Sequence, residues 1–214
     1  AGPAVRRPER TAMTWVLFDY GRVISDPPPE RDVAALATAA GAEVPALLEL
    51  YWSWRPAYDL AELDARGYWR QIGMRLGREY TDADISELVR LDSECWLHLA
   101  DGTVALVEEL ADAGHRLALL SNAPTDVAAA VSALPLARRF EHLLFSCHLS
   151  AAKPDPRCFA LALDWLGASP DEVIFIDDRP DNVAAAARLG ISSVHFTGPR
   201  RARAAVLRLL AAAV

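Results

Sequence analysis

The sequence predicts an α/β fold: a doubly wound parallel sheet, with a helical domain inserted after the first strand. Three observations predict it. Beyond Asp101 short apolar runs alternate with helical patterns, as they do when helices cover a parallel sheet. Between Glu30 and about Ala100 the periodicity is helical and no convincing strand occurs. The run Trp15-Val16-Leu17-Phe18 ends abruptly in Asp19, the pattern of a buried strand that delivers a carboxylate to the rim of a sheet. The expected boundaries are 12–25 and 101–214 for the sheet domain and 26–100 for the helical one.

Composition narrows the possibilities further. A chain of 214 residues that is 52% hydrophobic can bury one substantial core and carry an insertion. The net charge of −7 argues against nucleic-acid binding, which needs a basic stripe. Arg6-Arg7 and Arg200, Arg201 and Arg203 read as solvated faces. Cys95, Cys147 and Cys158 are odd in number and lack metal-ligand spacing, so they read as reduced thiols. Ala1 to Arg10 has no apolar segment resembling a signal peptide, and no run reaches the ~18 to 20 apolar residues that span a bilayer. The expectation is a soluble, cytoplasmic protein without a membrane partner.

Taken in order, a polar tail of about ten residues precedes a first strand over Trp15 to Asp19. Gly21 permits a tight turn, and Asp26-Pro27-Pro28-Pro29 forms a stiff linker out of the core. The helical block carries Val33, Leu36, Ala37 and Ala40 on one face, then Leu47, Leu48, Tyr51 and Trp54. Thr81-Asp82-Ala83-Asp84 is a variant capping box that opens a helix bearing Ile85, Leu88 and Val89. After it come a helix stopped at Gly114, a strand over Arg116 to Leu120, a helix over Pro124 to Leu134 and a strand over Leu143 to Cys147. A helix over Pro156 to Leu166 stops at Gly167, and a strand over Glu172 to Ile176 runs into Asp177-Asp178. A helix over Asn182 to Leu189, a short strand over Ser193 to Phe196 and a helix over Arg203 to Ala212 complete the chain.

Ligands of an open parallel sheet bind beyond the carboxyl ends of its strands. Three strands here end in reactive groups: Asp19, Ser121-Asn122 and Asp177-Asp178. Lys153 lies just before a helix, after the third strand. Carboxylates gathered beside a lysine are reconciled by a shared hard cation, for which magnesium is the natural candidate.

These four pieces, in this order, resemble the haloacid dehalogenase superfamily, mostly phosphatases with a Rossmann-like core. The match covers about residues 14–25 and 101–198, and the helical insertion resembles the family's cap. Phe18-Asp19-Tyr20-Gly21-Arg22-Val23-Ile24 is especially similar to the branch typified by bacterial alpha-D-glucose-1-phosphate phosphatase. The resemblance implies that Asp19 is a nucleophile forming an aspartyl phosphate, and that Asp178, with Asp177 beside it and the Gly21 carbonyl, joins Asp19 in holding Mg2+. It implies that Ser121 and the Asn122 and Ala123 amides bind the phosphoryl group, that Lys153 neutralises charge, and that Asp181 or Asn182 supports Lys153 or the metal's waters. Arg22 becomes a candidate ligand contact, and the substrate a small phosphorylated metabolite.

The sequence departs from the family pattern at Gly21, where most members carry a second Asp that protonates the leaving group. Such help contributes typically 10² to 10⁴ in rate, so its absence favours esters with good leaving groups, such as sugar 1-phosphates. Two other readings stand beside this one: a haloacid dehalogenase, in which Asp19 displaces halide without a metal, and a regulatory or binding homologue with little turnover. Trp52, Trp54, Arg55 and Tyr58 are either a substrate-facing lip or core packing. The five histidines show no zinc spacing, and only His195 falls near the carboxyl end of a strand.

Overall fold

The computed structural model describes residues 14–212, so the expected N-terminal tail with Arg6-Arg7 lies outside the described residues. Five strands form one sheet in which every pairing is parallel, in the order β3-β2-β1-β4-β5. They are β1 (Trp15–Phe18), β2 (Arg116–Ser121), β3 (His142–Phe145), β4 (Val173–Asp177) and β5 (Ser192–His195). β1 is central: Phe18 stands level with Leu119 on one side and Ile176 on the other. That register brings the residues that follow all three strands to one edge.

All four residues of β1 are buried, because helices cover both faces of the sheet. One face presents Val16, Phe18, Leu119 and Ile176 to α5 (Asp101–Asp112), α6 (Thr125–Ser132) and α10 (Pro199–Ala212). The other presents Trp15, Leu17, Leu120 and Phe175 to α8 (Pro156–Leu166) and α9 (Pro180–Arg188). The fold is therefore the doubly wound α/β arrangement that the alternation predicts.

The inserted segment holds α1 (Glu30–Ala40), α2 (Val44–Asp59), α3 (Ala65–Leu76) and α4 (Asp82–Cys95), with no strand among them. They pack on a hydrophobic cluster of their own, in which Leu36, Leu47, Tyr68, Trp69, Ile72 and Leu88 are buried. The capping box at the start of α4 is present: Asp84 N donates to Thr81 Oγ1 at 3.2 Å, and Thr81 N donates to Asp84 Oδ2 at 2.8 Å. Chain exit and return run side by side. Ser25 and Leu99 form an antiparallel bridge, Ala100 N donates to Ile24 O at 2.9 Å, and Asp26 N donates to His98 O at 2.7 Å.

The structure differs from the sequence expectation at several boundaries. The third strand stops at Phe145, and Cys147 lies instead in a single helical turn, α7 (Ser146–Leu149). The helices expected at Asn182 and Arg203 begin earlier, at Pro180 and Pro199. Proline is at home in the first helical turn, since its missing N–H would have had no partner there. Among the described residues no single helix is long and apolar enough to cross a membrane.

Candidate active site

The carboxyl edge of the sheet faces the helical insertion across a cavity of about 420 Å³. Asp19, Gly21, Ser121, Lys153 and Asp178 line it from the sheet side. Trp52, Arg55, Asp59 and Trp96 line it from the insertion. Asp19 is fixed from two directions, since its own N–H donates to Ile176 O at 2.9 Å and its Oδ1 accepts from Tyr20 N at 2.7 Å.

Lys153 is the hub. Its buried ammonium sits 2.7 Å from Asp19 Oδ1 and 2.7 Å from Asp177 Oδ2. Burial alone would pull this ammonium down, but Asp19 and Asp177 outweigh it and hold it above the ordinary lysine range. Burial pushes the Asp19 carboxyl up to about 7 against the pull of Lys153, and the nearby Asp177 adds to the rise. Asp178 is raised by the same two causes, burial and then Asp177.

Several expected site residues are held by hydrogen bonds within the protein. Asp177 is wholly buried, with Oδ1 accepting from Arg179 N at 2.8 Å and Asn182 Nδ2 at 3.0 Å, and Oδ2 from Lys153 Nζ at 2.7 Å and Asn182 Nδ2 at 3.0 Å. With both oxygens engaged, it positions Lys153, and Asp178 is the carboxylate that lines the cavity. Asn182 therefore supports Asp177, while Asp181 faces away and pairs with Arg179 at 2.8 Å. Asn122 lines the cavity, and its side chain clamps the Lys153 backbone, donating to its carbonyl at 2.8 Å and accepting from its N–H at 2.9 Å. The Ala123 N–H is also taken, by Ser146 Oγ at 3.0 Å. Ser121 lines the cavity with no hydrogen bond to its hydroxyl among the described residues.

At the rim, Arg22 is 64% exposed with Nε 3.8 Å from Asp178 Oδ2. Of the aromatic stripe, Trp52 is 54% exposed and lines the cavity. Tyr58 is buried, with its hydroxyl donating to Asp126 at 2.8 Å, and Trp54 packs against the insertion's core. His195 Nε2 lies 3.0 Å from the Asp178 carbonyl, on the turn that follows β4. Sequence reasoning missed Asp59, which lines the cavity only because the insertion folds over the sheet edge, and Ser146, the sheet-domain residue whose hydroxyl bonds the Asp59 carbonyl. The spacing of Arg55 and Asp59, four residues apart, signals an ordinary helical ion pair and nothing more.

A hard cation fits this donor set. Asp19, Asp177 and Asp178 each offer a carboxylate oxygen within 4.8 Å of the others, against one buried ammonium. With Asp177 already engaged, Asp19 and Asp178 remain as the side-chain donors.

The model of haloacid dehalogenase-like hydrolases matches residues 18–190. The chain belongs to this family of hydrolases. Among curated relatives, (S)-2-haloacid dehalogenase 4A of Burkholderia cepacia is 35% identical over 42% of this chain and 39% of its own length. Phosphoglycolate phosphatase of Shigella boydii is 29% identical over 58% of this chain and 48% of its own length. The chain thus spans less than half of each of these two relatives. A solved haloacid dehalogenase-family enzyme from Bacteroides thetaiotaomicron, in complex with magnesium and inorganic phosphate, superposes with a TM-score of 0.71. It is 20% identical, over 85% of this chain and 93% of that one, a likeness of fold. The hydrolase family thus includes relatives of both the dehalogenase and the phosphatase kind.

Proposed function

We propose that this hydrolase is a magnesium-dependent phosphatase that forms an aspartyl phosphate on Asp19 and acts on a small phosphate ester, with sugar phosphates the favoured class. The observation that carries the reading is a surplus of carboxylate: the buried Lys153 is already shared by Asp19 and Asp177, and Asp178 brings a further carboxylate oxygen within 4.8 Å of both at the cavity. A dehalogenase has no need of that surplus. Asp19, Asp178 and the Gly21 carbonyl would hold magnesium, and the chemistry it supplies is neutralisation of charge on the phosphoryl oxygens.

The remaining work falls to the chain itself. Asp19 Oδ attacks phosphorus, and Lys153, bonded to the same carboxylate, stabilises the charge passing onto the phosphoryl group. The Ser121 hydroxyl donates to a phosphoryl oxygen. Asp177, itself held by the Asn182 amide, anchors Lys153. A sugar ring suits the exposed indole of Trp52 at the cavity mouth, which offers a flat apolar face.

The test is phosphate release from a panel of sugar phosphates and simple alkyl phosphates, with magnesium and with chelator. Wild-type protein is expected to release phosphate only with magnesium, and Asp19→Asn to release none. Chloride release from 2-chloropropionate in chelator would instead establish the dehalogenase, and unchanged phosphate release by Asp19→Asn would remove the nucleophile.

A further inference from the structure

We propose that Asp59, delivered to the cavity as the last residue of α2, is the general acid and base that position 21 does not supply. The assignment rests on the phosphatase reading above.

Placement comes first. Asp59 lines the same cavity as Asp19, and its side chain is 14% exposed. Its backbone is tied to the expected phosphoryl site: Ser146 Oγ donates to the Asp59 carbonyl at 2.5 Å and accepts from Ala123 N at 3.0 Å, two residues after Ser121. The insertion therefore sets Asp59 against the loop that follows β2, not at a remote point of the rim.

The side chain is held at one oxygen and free at the other. Arg55 Nε donates to Asp59 Oδ1 at 2.6 Å, while Oδ2 has no hydrogen bond among the described residues. Arg55 in turn lies 3.4 Å from Asp92 Oδ1 and donates to the Tyr51 hydroxyl. Two buried carboxyls thus share one guanidinium, which cannot neutralise both. Burial raises Asp59, opposed by Arg55 and assisted by Asp92, so it keeps a proton to higher pH than an ordinary carboxyl. Tyr68 and Cys147 also sense Asp59, and burial raises both so that they are neutral near pH 7; across the cavity stand Asp19, Lys153 and Asp178.

The other cavity groups are engaged or unsuited. The Tyr20 hydroxyl donates to Trp96 O at 2.7 Å, and the side-chain amides of Asn122 and Asn182 serve Lys153 and Asp177. Arg22, Arg55 and Arg179 do not release protons near neutral pH. Asp19 and Asp178 have their own parts.

In the first half-reaction Asp19 attacks phosphorus, and the electron pair of the breaking P–O bond passes to the leaving oxygen, which takes the proton of Asp59. In the second, the Asp59 carboxylate removes a proton from water as the water oxygen attacks phosphorus, and the Asp19–phosphorus bond breaks to release inorganic phosphate. Asp59 ends protonated, as it began. With Asp59 in this role, an activated anomeric oxygen is no longer required, and preference for a sugar rests on Trp52.

The experiment compares glycerol phosphate and a sugar 6-phosphate, whose leaving oxygens need a proton, with p-nitrophenyl phosphate, whose phenolate leaves without one. Asp59→Asn is expected to lose about 10² to 10⁴ in kcat/KM on the first two and less than about tenfold on the third. Equal losses on all three, with folding intact by circular dichroism, would overturn the assignment. Adding Gly21→Asp to Asp59→Asn is expected to restore turnover of glycerol phosphate, because a Cβ at 21 meets only the Trp96 ring, at 3.5 Å. Should Asp59→Asn not fold, the wild type decides: a shallow dependence of its phosphorylation rate on leaving-group pKa supports Asp59, and a steep one overturns it. Absence of release from every ester by the wild type removes the phosphatase reading itself, and Asp59 with it.

Discussion

Asp177 ends β4 with both carboxylate oxygens bonded inside the protein, and Asp178, one residue on, turns its own toward the cavity. Their substitutions should therefore fail differently. Asp178→Asn is expected to abolish the response of activity to magnesium. Asp177→Asn should keep tight magnesium binding by titration calorimetry and lose about 10- to 100-fold in kcat, because Lys153 loses its second anchor. Equal loss of metal affinity in both variants would return Asp177 to the metal. The sequence made Asp19, Lys153 and Asp178 legible because each follows a strand or precedes a helix, where backbone pattern alone fixes the edge they occupy. It could not separate Asp181 from Asn182. Neighbours on a helix point about 100° apart, and which one faces inward depends on α9 starting at Pro180 rather than two residues later.

At the scale of elements, α2 carries the connection between insertion and sheet. Its last turn bonds the core twice, through Tyr58 to Asp126 at 2.8 Å and through the Asp59 carbonyl to Ser146 at 2.5 Å. Tyr58→Phe removes one of these ties and leaves the cavity lining intact. It is expected to raise KM several-fold with little change in kcat, at a stability cost of about 1–3 kcal/mol by urea denaturation. A fall in kcat at constant KM would mean that α2 acts on chemistry rather than on closure. The strands and helices themselves were readable from periodicity, and the capping box at Thr81 was readable from four letters. What stayed hidden was how the insertion lies over the sheet, since Asp59 and Ser146 are far apart in sequence and their meeting has no local pattern.

For the molecule as a whole, the anionic cavity links stability to pH and to cations. In chelator the folded protein keeps a proton on Asp19 up to about 7, whereas the unfolded chain releases it near 3.8. Between those values the folded state binds more protons, so this contribution is greatest below 3.8 and is lost as pH rises through about 7. Magnesium binds the ionised carboxylates and must displace that proton at low pH. Saturating magnesium is therefore expected to raise Tm more at about pH 8 than at about pH 5.5. An equal or larger rise at the lower pH would exclude Asp19 as a ligand.

The bridge between Ser25 and Leu99 means that some seventy residues leave and re-enter the sheet through one narrow gate. A segment anchored at a closed base can lengthen, shorten or be exchanged with little effect on the strands below, because the entropy of closing it grows only slowly with its length. The helical unit is in that sense a graft. An engineer could transplant another unit between Ile24 and Ala100 to redirect this hydrolase to a different substrate, provided the incoming helices bring their own counterpart of Asp59 and a backbone carbonyl to accept from the Ser146 hydroxyl.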